Sequence, residues 1–346
     1  MSRPRSEVRE RPAAVSARPG LSRWLRIGGI VAAVVVLAIV GLRGRLPDPR
    51  EFLAALAGAD YGWVALATVL QVVSLAAFAF QQRRLLDNLG VRLRRRRIMA
   101  ITLARSALSI SLPAGAAVST AYAIREYRKA GVGRKIGAAS AVVSGLASIG
   151  GLTLLYLAGG AGLVAQNPSA FLSWQPLAIV AGIAVVAAGA VVIGRWQAGR
   201  PERARTQPYG KVSRLVAAGR DAWQKGASLR VRDWAVALAY AAVNWLTDLL
   251  CLAAACRALG LPVGVTTLAG IYLGVQIVRQ VPLTPGGVGV IETALVAGLT
   301  ATGATAVSAA AAVLIYRLLS CWLIIPVGGA AAVALRRATT VPVRRA

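Results

Sequence analysis

Five ionisable side chains stand inside apolar stretches of this 346-residue chain: Arg105, Asp248, Arg279, Glu292 and Arg317. A charge at membrane depth is costly, and residues of this kind usually face an interior pathway or one another. On a helix, Thr102, Arg105, Ser106 and Ser109 share one face, as do Gln276, Arg279 and Gln280, and likewise Asn244, Thr247, Asp248 and Cys251. The three stripes are expected to meet inside a bundle. Three Arg against two carboxylates give that interior a net positive charge, which suits a phosphate-bearing headgroup because the planar guanidinium can hold phosphate at two points. The competing reading is packing alone, with Arg279 paired to Glu292 and Arg317 to Asp248.

The second chemical signal is the run PLTPGG at 282–287. Thr284 is expected to act as an N-cap with Pro285 at the first helical position, leaving the amides of Gly286 and Gly287 uncovered. Uncovered amides and the positive end of a helix dipole favour a phosphate or carboxylate without any catalytic group. A plain helix break closing a tight turn is the alternative. Other chemistries are poorly served. The chain has no histidine, which removes imidazole triads, His metal sites and His proton relays. Cys251, Cys256 and Cys321 match no metal or redox spacing and read as small hydrophobes, so neither a metal nor a cofactor is expected.

The elements that must position these groups follow from composition. Hydrophobic residues make up 57% of the chain and charged ones 15%, with a mean hydropathy of +0.64. Apolar runs near 27–42, 61–80, 98–112, 136–158, 176–194, 234–256, 265–281, 288–302 and 305–334 have the lengths of membrane helices or pieces of them. The expected fold class is therefore an all-α polytopic membrane protein. The net charge of +28 does not form a nucleic-acid patch, because 33 of the 40 Lys and Arg fall in the N-terminal tail, 81–97, 120–135, 195–233 and the C-terminal tail. The segments 43–60, 159–175 and 257–264 are poor in basic residues, so the positive-inside rule puts both termini in the cytoplasm. The first run ends in GLRGR without a cleavage pattern and reads as a retained anchor. Residues 1–24 read as a disordered basic tail, 25–335 as the transmembrane domain and 336–346 as a second basic tail.

Counting crossings leaves two segments that must enter and leave on the same side. The run 98–112 ends at SLPAG between two basic loops, so a half-helix is expected to break at Pro113 and Gly115 and return through Ala116 to Tyr127. The run 265–281 meets PLTPGG and continues as 288–302, a hairpin expected to enter from the opposite face. Irregular backbone at membrane depth is tolerated only where protein buries it or a watery cavity meets it. ITLARSALSISLPAGAAV and IYLGVQIVRQVPLTPGGVGV each carry an apolar helix with one Arg, a Pro and Gly break and a small-residue helix, the pattern of inverted repeats around a transport site.

PLTPGGVGVIETALVAGL, the LPAG break and REYRKAGVGRKIGAASAVV together resemble the lysylphosphatidylglycerol synthetase transmembrane-region family, the flippase-like domain, over roughly residues 25 to 335. The family commonly follows its first break with a Gly-Glu pair, where this chain has Ala117 and Val118, and AVVSGLASIGG lacks the charged pair often found in the next helix. The resemblance implies about eight spanning helices with two re-entrant hairpins, and movement of phospholipids or lipid-linked molecules between leaflets. In multiple-peptide-resistance proteins the same domain precedes a soluble aminoacyltransferase domain. A chain that stops at Ala346 is expected to be a stand-alone member that moves a lipid and does not synthesise one.

The leading expectation is thus a flippase or transporter in the cell membrane, not an enzyme. Its partner is an anionic lipid, bound by Arg105, Arg279, Thr284, Gly286, Gly287 and Glu292, with Asp248 and Arg317 as coupling or structural charges. No nucleic-acid partner is expected, and a homo-oligomer stays open. Two alternatives are an integral membrane transferase acting on a phospholipid or polyprenyl-phosphate, and an accessory subunit binding through 195–233, whose Trp196, Tyr209 and Trp223 suit an interfacial helix.

Overall fold

The computed structural model of the protein describes residues 49–112, 114–166, 230–279 and 284–340. The N-terminal tail, the runs at 27–42 and 176–194, Trp196, Tyr209, Trp223, Pro113, Gln280 and the end of the C-terminal tail lie outside the described residues. Among the described residues all regular structure is helical: α1 (Pro49–Ala57), α2 (Tyr61–Asn88), α3 (Arg95–Ser111), α4 (Gly115–Lys129), α5 (Arg134–Gln166), α6 (Val231–Ala258), α7 (Val265–Arg279), a 3₁₀ turn (Pro285–Gly287), α8 (Val290–Thr300), α9 (Ala306–Arg317), a π turn (Leu318–Trp322) and α10 (Ile324–Thr340).

Among the described residues four helices are long and apolar enough to cross a membrane: Tyr61–Asn88, Arg134–Ala161, Val231–Ala258 and Ala306–Ala338. Their outward faces carry side chains such as Val69 and Val72 at 58% and 60% exposure, surface that water would not tolerate but a bilayer does. Two departures from the sequence reading occur at the ends of runs. Residues 49–57, read as loop, form α1, which packs on α9. Helix α10 continues past Leu335 to Thr340, so Arg336 and Arg337 stand on a helix and not in a free tail.

Association of apolar helices within lipid depends on close packing and hydrogen bonds, because lipid tails are as apolar as leucine. Both are present. The most extensive pairing is α2 with α6, where Gln81 Nε2 donates to Ala237 O at 2.8 Å and Ser74 Oγ to Asn244 O at 3.0 Å. Gln82 is bonded to Ser144 of α5, and Trp245 Nε1 donates to Ser148 O at 3.0 Å, tying α5 to the same pair. A Cβ at Gly151 would stand 2.8 Å from Ala241 C on α6, and one at Gly328 would stand 2.3 Å from Leu103 O on α3. Glycine is required at both contacts.

The two helix–break–helix segments are present as packed pairs, α3 with α4 and α7 with α8. Their breaks meet. A Cβ on Gly286 would lie 2.8 Å from Ile110 O, so the tip of the second pair rests on the last turn of α3. At the first break Ala114 takes a left-handed conformation with φ of 54°, which ends α3 and redirects the chain into α4.

Candidate functional site

The second break owes its shape to glycine. Gly286, Gly287 and Gly289 have φ of 62°, 67° and 85°, values that residues with a Cβ avoid. The helix therefore starts later than the sequence suggested. Thr284 is not its N-cap: its hydroxyl donates to Val288 O at 2.9 Å, and Gly287 N–H is taken by Thr284 O at 3.1 Å. Gly289 precedes α8, and Glu292 reaches back so that its Oε2 accepts from Gly289 N–H at 2.7 Å. Of the two amides expected to face an external anion, that of Gly287 is thus turned inward onto Thr284 O, and the amide at the actual helix start, that of Gly289, is covered by the chain's own carboxylate.

Glu292 is held from the other side by Arg317, whose Nε donates to Oε1 at 2.6 Å. Arg317 Nη2 also donates to Gly286 O at 3.1 Å, so one guanidinium clasps the break before and after its turn. Pro326 supplies the local cause for the π turn that follows Arg317. Lacking an N–H, it cannot bond the carbonyl of Trp322, and the preceding turn widens, with Leu323 N–H bonding Leu318 O at 2.9 Å.

Neither expected packing pair forms. Arg317 pairs with Glu292 and not with Asp248, and Arg279 pairs with neither. Asp248 instead receives two phenol hydroxyls on Oδ2, from Tyr272 at 2.6 Å and Tyr316 at 2.9 Å. Tyr272, Gln276, Arg279, Tyr316 and Arg317 line a small cavity between α7, α8 and α9. Arg279 is exposed and lies close enough to Asp248, Tyr272 and Tyr316 to feel them electrostatically, yet among the described residues it makes no hydrogen bond or ion pair. A guanidinium presents five N–H donors in a fixed fork, so Arg279 offers this cavity an unused binding group.

The three polar stripes do not all converge. The Asp248 and Arg279 stripes meet, but Arg105 does not line the cavity. Its guanidinium lies over the Phe78 ring, 5.1 Å from the centroid, beside Tyr127. Arg279 and Arg317 line the cavity, while Asp248 is bonded to the lining tyrosines and Glu292 to Arg317, so the charges around it form a balanced set in place of the net positive charge expected when Arg105 is counted. Sequence reasoning missed Tyr272 and Tyr316. Tyr272 falls at i, i+4 and i+7 with Gln276 and Arg279, a spacing that would have put it on their face. It also missed Glu126, 1% exposed in α4, where Lys129 Nζ donates to its carboxylate at 2.8 Å.

Long apolar helices, two broken-helix pairs whose tips touch, and a charged cavity walled by one of them define a multi-pass membrane protein with an interior polar site. The family model of the lysylphosphatidylglycerol synthase TM region matches residues 26–328, and the chain belongs to that family. No curated protein shows significant similarity to it. Family membership gives the protein a lipid-related role at a membrane.

Proposed function

We propose that the protein moves an anionic phospholipid or lipid-linked phosphate between the leaflets of the cell membrane, and that the headgroup phosphate is received by Arg279. The observation that carries this reading is the Arg279 fork, which opens onto a cavity and has no hydrogen-bond partner among the described residues. A phosphate can take two of its N–H groups at once. The hydroxyls of Tyr272 and Tyr316 keep Asp248 engaged, so it competes less for Arg279. In this reading the lipid tails remain in the bilayer while the headgroup crosses.

In this reading the α3–α4 and α7–α8 pairs are re-entrant from opposite faces, with both termini in the cytoplasm, as the basic loops favour. The touching breaks would then form the thin middle of the protein. The discriminating experiment reconstitutes wild type and Arg279→Gln in phosphatidylcholine liposomes containing labelled phosphatidylglycerol. In Arg279→Gln, phosphatidylglycerol movement should slow by about tenfold or more, the loss of one charged contact. Equal rates for the two proteins would refute the reading.

A further inference from the structure

We infer that Glu292 is the resident anion of this site: in the empty protein its carboxylate occupies Arg317 where a headgroup phosphate binds, and it must leave for that phosphate to enter. The inference rests on the reading of the Arg279 cavity as the headgroup site and adds how occupancy of that site is controlled.

Three observations support it. First, the contacts of Glu292 are those a phosphate oxygen would make. One oxygen takes the Arg317 Nε at 2.6 Å and the other a backbone amide at a helix start, Gly289 N–H, at 2.7 Å. Second, the two partners differ in freedom. Arg317 is 3% exposed and anchored a second time on Gly286 O, whereas the Glu292 side chain is 23% exposed. The guanidinium is fixed and the carboxylate can swing away. Third, Arg317 and the unbonded Arg279 line the same cavity, so an anion arriving on Arg279 lies next to the guanidinium that Glu292 covers. With Glu292 on Arg317 the charges around the cavity cancel; with it displaced, the two lining guanidiniums are offset only by Asp248 behind the tyrosines, and a phosphate restores the balance. The same displacement frees the second break, because Arg317 would then clasp only Gly286 and no longer the start of α8. Headgroup arrival is thereby coupled to the backbone tip that rests on Ile110.

The test compares wild type, Glu292→Gln and Arg279→Gln in dodecyl maltoside, titrated with dihexanoyl phosphatidic acid and, separately, with inorganic phosphate. Glutamine keeps the shape of the competitor and removes its charge. Glu292→Gln should bind both probes about tenfold more tightly than wild type, and the lipid should saturate at lower concentration than phosphate. Equal or weaker binding by Glu292→Gln, with Arg279→Gln still impaired, would overturn the resident-anion role alone. A gain for inorganic phosphate but not for the lipid would overturn the headgroup assignment. No loss in Arg279→Gln would remove the underlying site. If Glu292→Gln does not fold, wild type carries a second readout. Dicyclohexylcarbodiimide modifies carboxyl groups in apolar surroundings, and peptide mapping should show more label on Glu292 as the lipid saturates. Unchanged or reduced labelling would overturn the inference.

Discussion

Removing Arg317 and Glu292 separately and together separates their structural from their functional part. Glu292→Leu strands a guanidinium that is 3% exposed, removing its acceptor at 2.6 Å and the cap on Gly289 N–H. An uncompensated buried charge costs about 3–5 kcal/mol, and loss of the cap adds about 1 kcal/mol. Arg317→Met is milder. The Glu292 side chain is 23% exposed and keeps Gly289 N–H, so its charge stays partly solvated, while Gly286 O loses its donor. That loss is on the order of 1.5–3 kcal/mol. The double replacement removes both charges and leaves only two backbone groups to find other partners, a cost of about 1–3 kcal/mol. The singles should therefore sum to several kcal/mol more than the double. Tryptophan fluorescence during chemical denaturation in detergent measures all three, and a double variant equal to the sum of the singles within about 0.5 kcal/mol would refute the pairing energetics. The stable double variant should also fail to move phosphatidylglycerol in liposomes, and full activity would show that the pair only holds the break.

Gly328→Val should disrupt the α3–α10 contact, since a Cβ there meets Leu103 O at 2.3 Å and Ala107 Cβ at 2.5 Å. Gly329→Ala, with nothing within 4 Å, should leave the yield of folded protein unchanged. Tyr272→Phe and Tyr316→Phe each remove a donor to the Asp248 carboxylate and should cost about 1.5–3 kcal/mol in the same denaturation assay. Single cysteines at Ser119 and at Thr284, in a background without Cys251, Cys256 and Cys321, should react with impermeant reagents from opposite sides. Reaction of both from one side would overturn the opposed hairpins.

The membrane class, the position of the long helices and the two breaks were legible in the sequence, because a bilayer imposes length and polarity on every segment that enters it. Pro and Gly punctuate a chain locally, and SLPAG and PLTPGG marked the ends of α3 and α7 without reference to anything distant. The five interior charges could likewise be named from one dimension, since each stands out against apolar neighbours. What they do to one another could not. Helix periodicity groups Arg105, Asp248 and Arg279 each into a polar stripe, but it does not fix the height and rotation at which those stripes meet. Only packing delivered Tyr272 and Tyr316 to Asp248, gave Glu292 to Arg317, and set Arg105 against Phe78. The start of α8 was decided in the same way. Thr284 and Pro285 make a good local N-cap, but a backbone that must turn within touching distance of Ile110 needs three left-handed glycines, and the helix begins where the last of them, Gly289, ends the turn. Local preference proposes where a helix starts, and steric contact with a neighbouring backbone settles it.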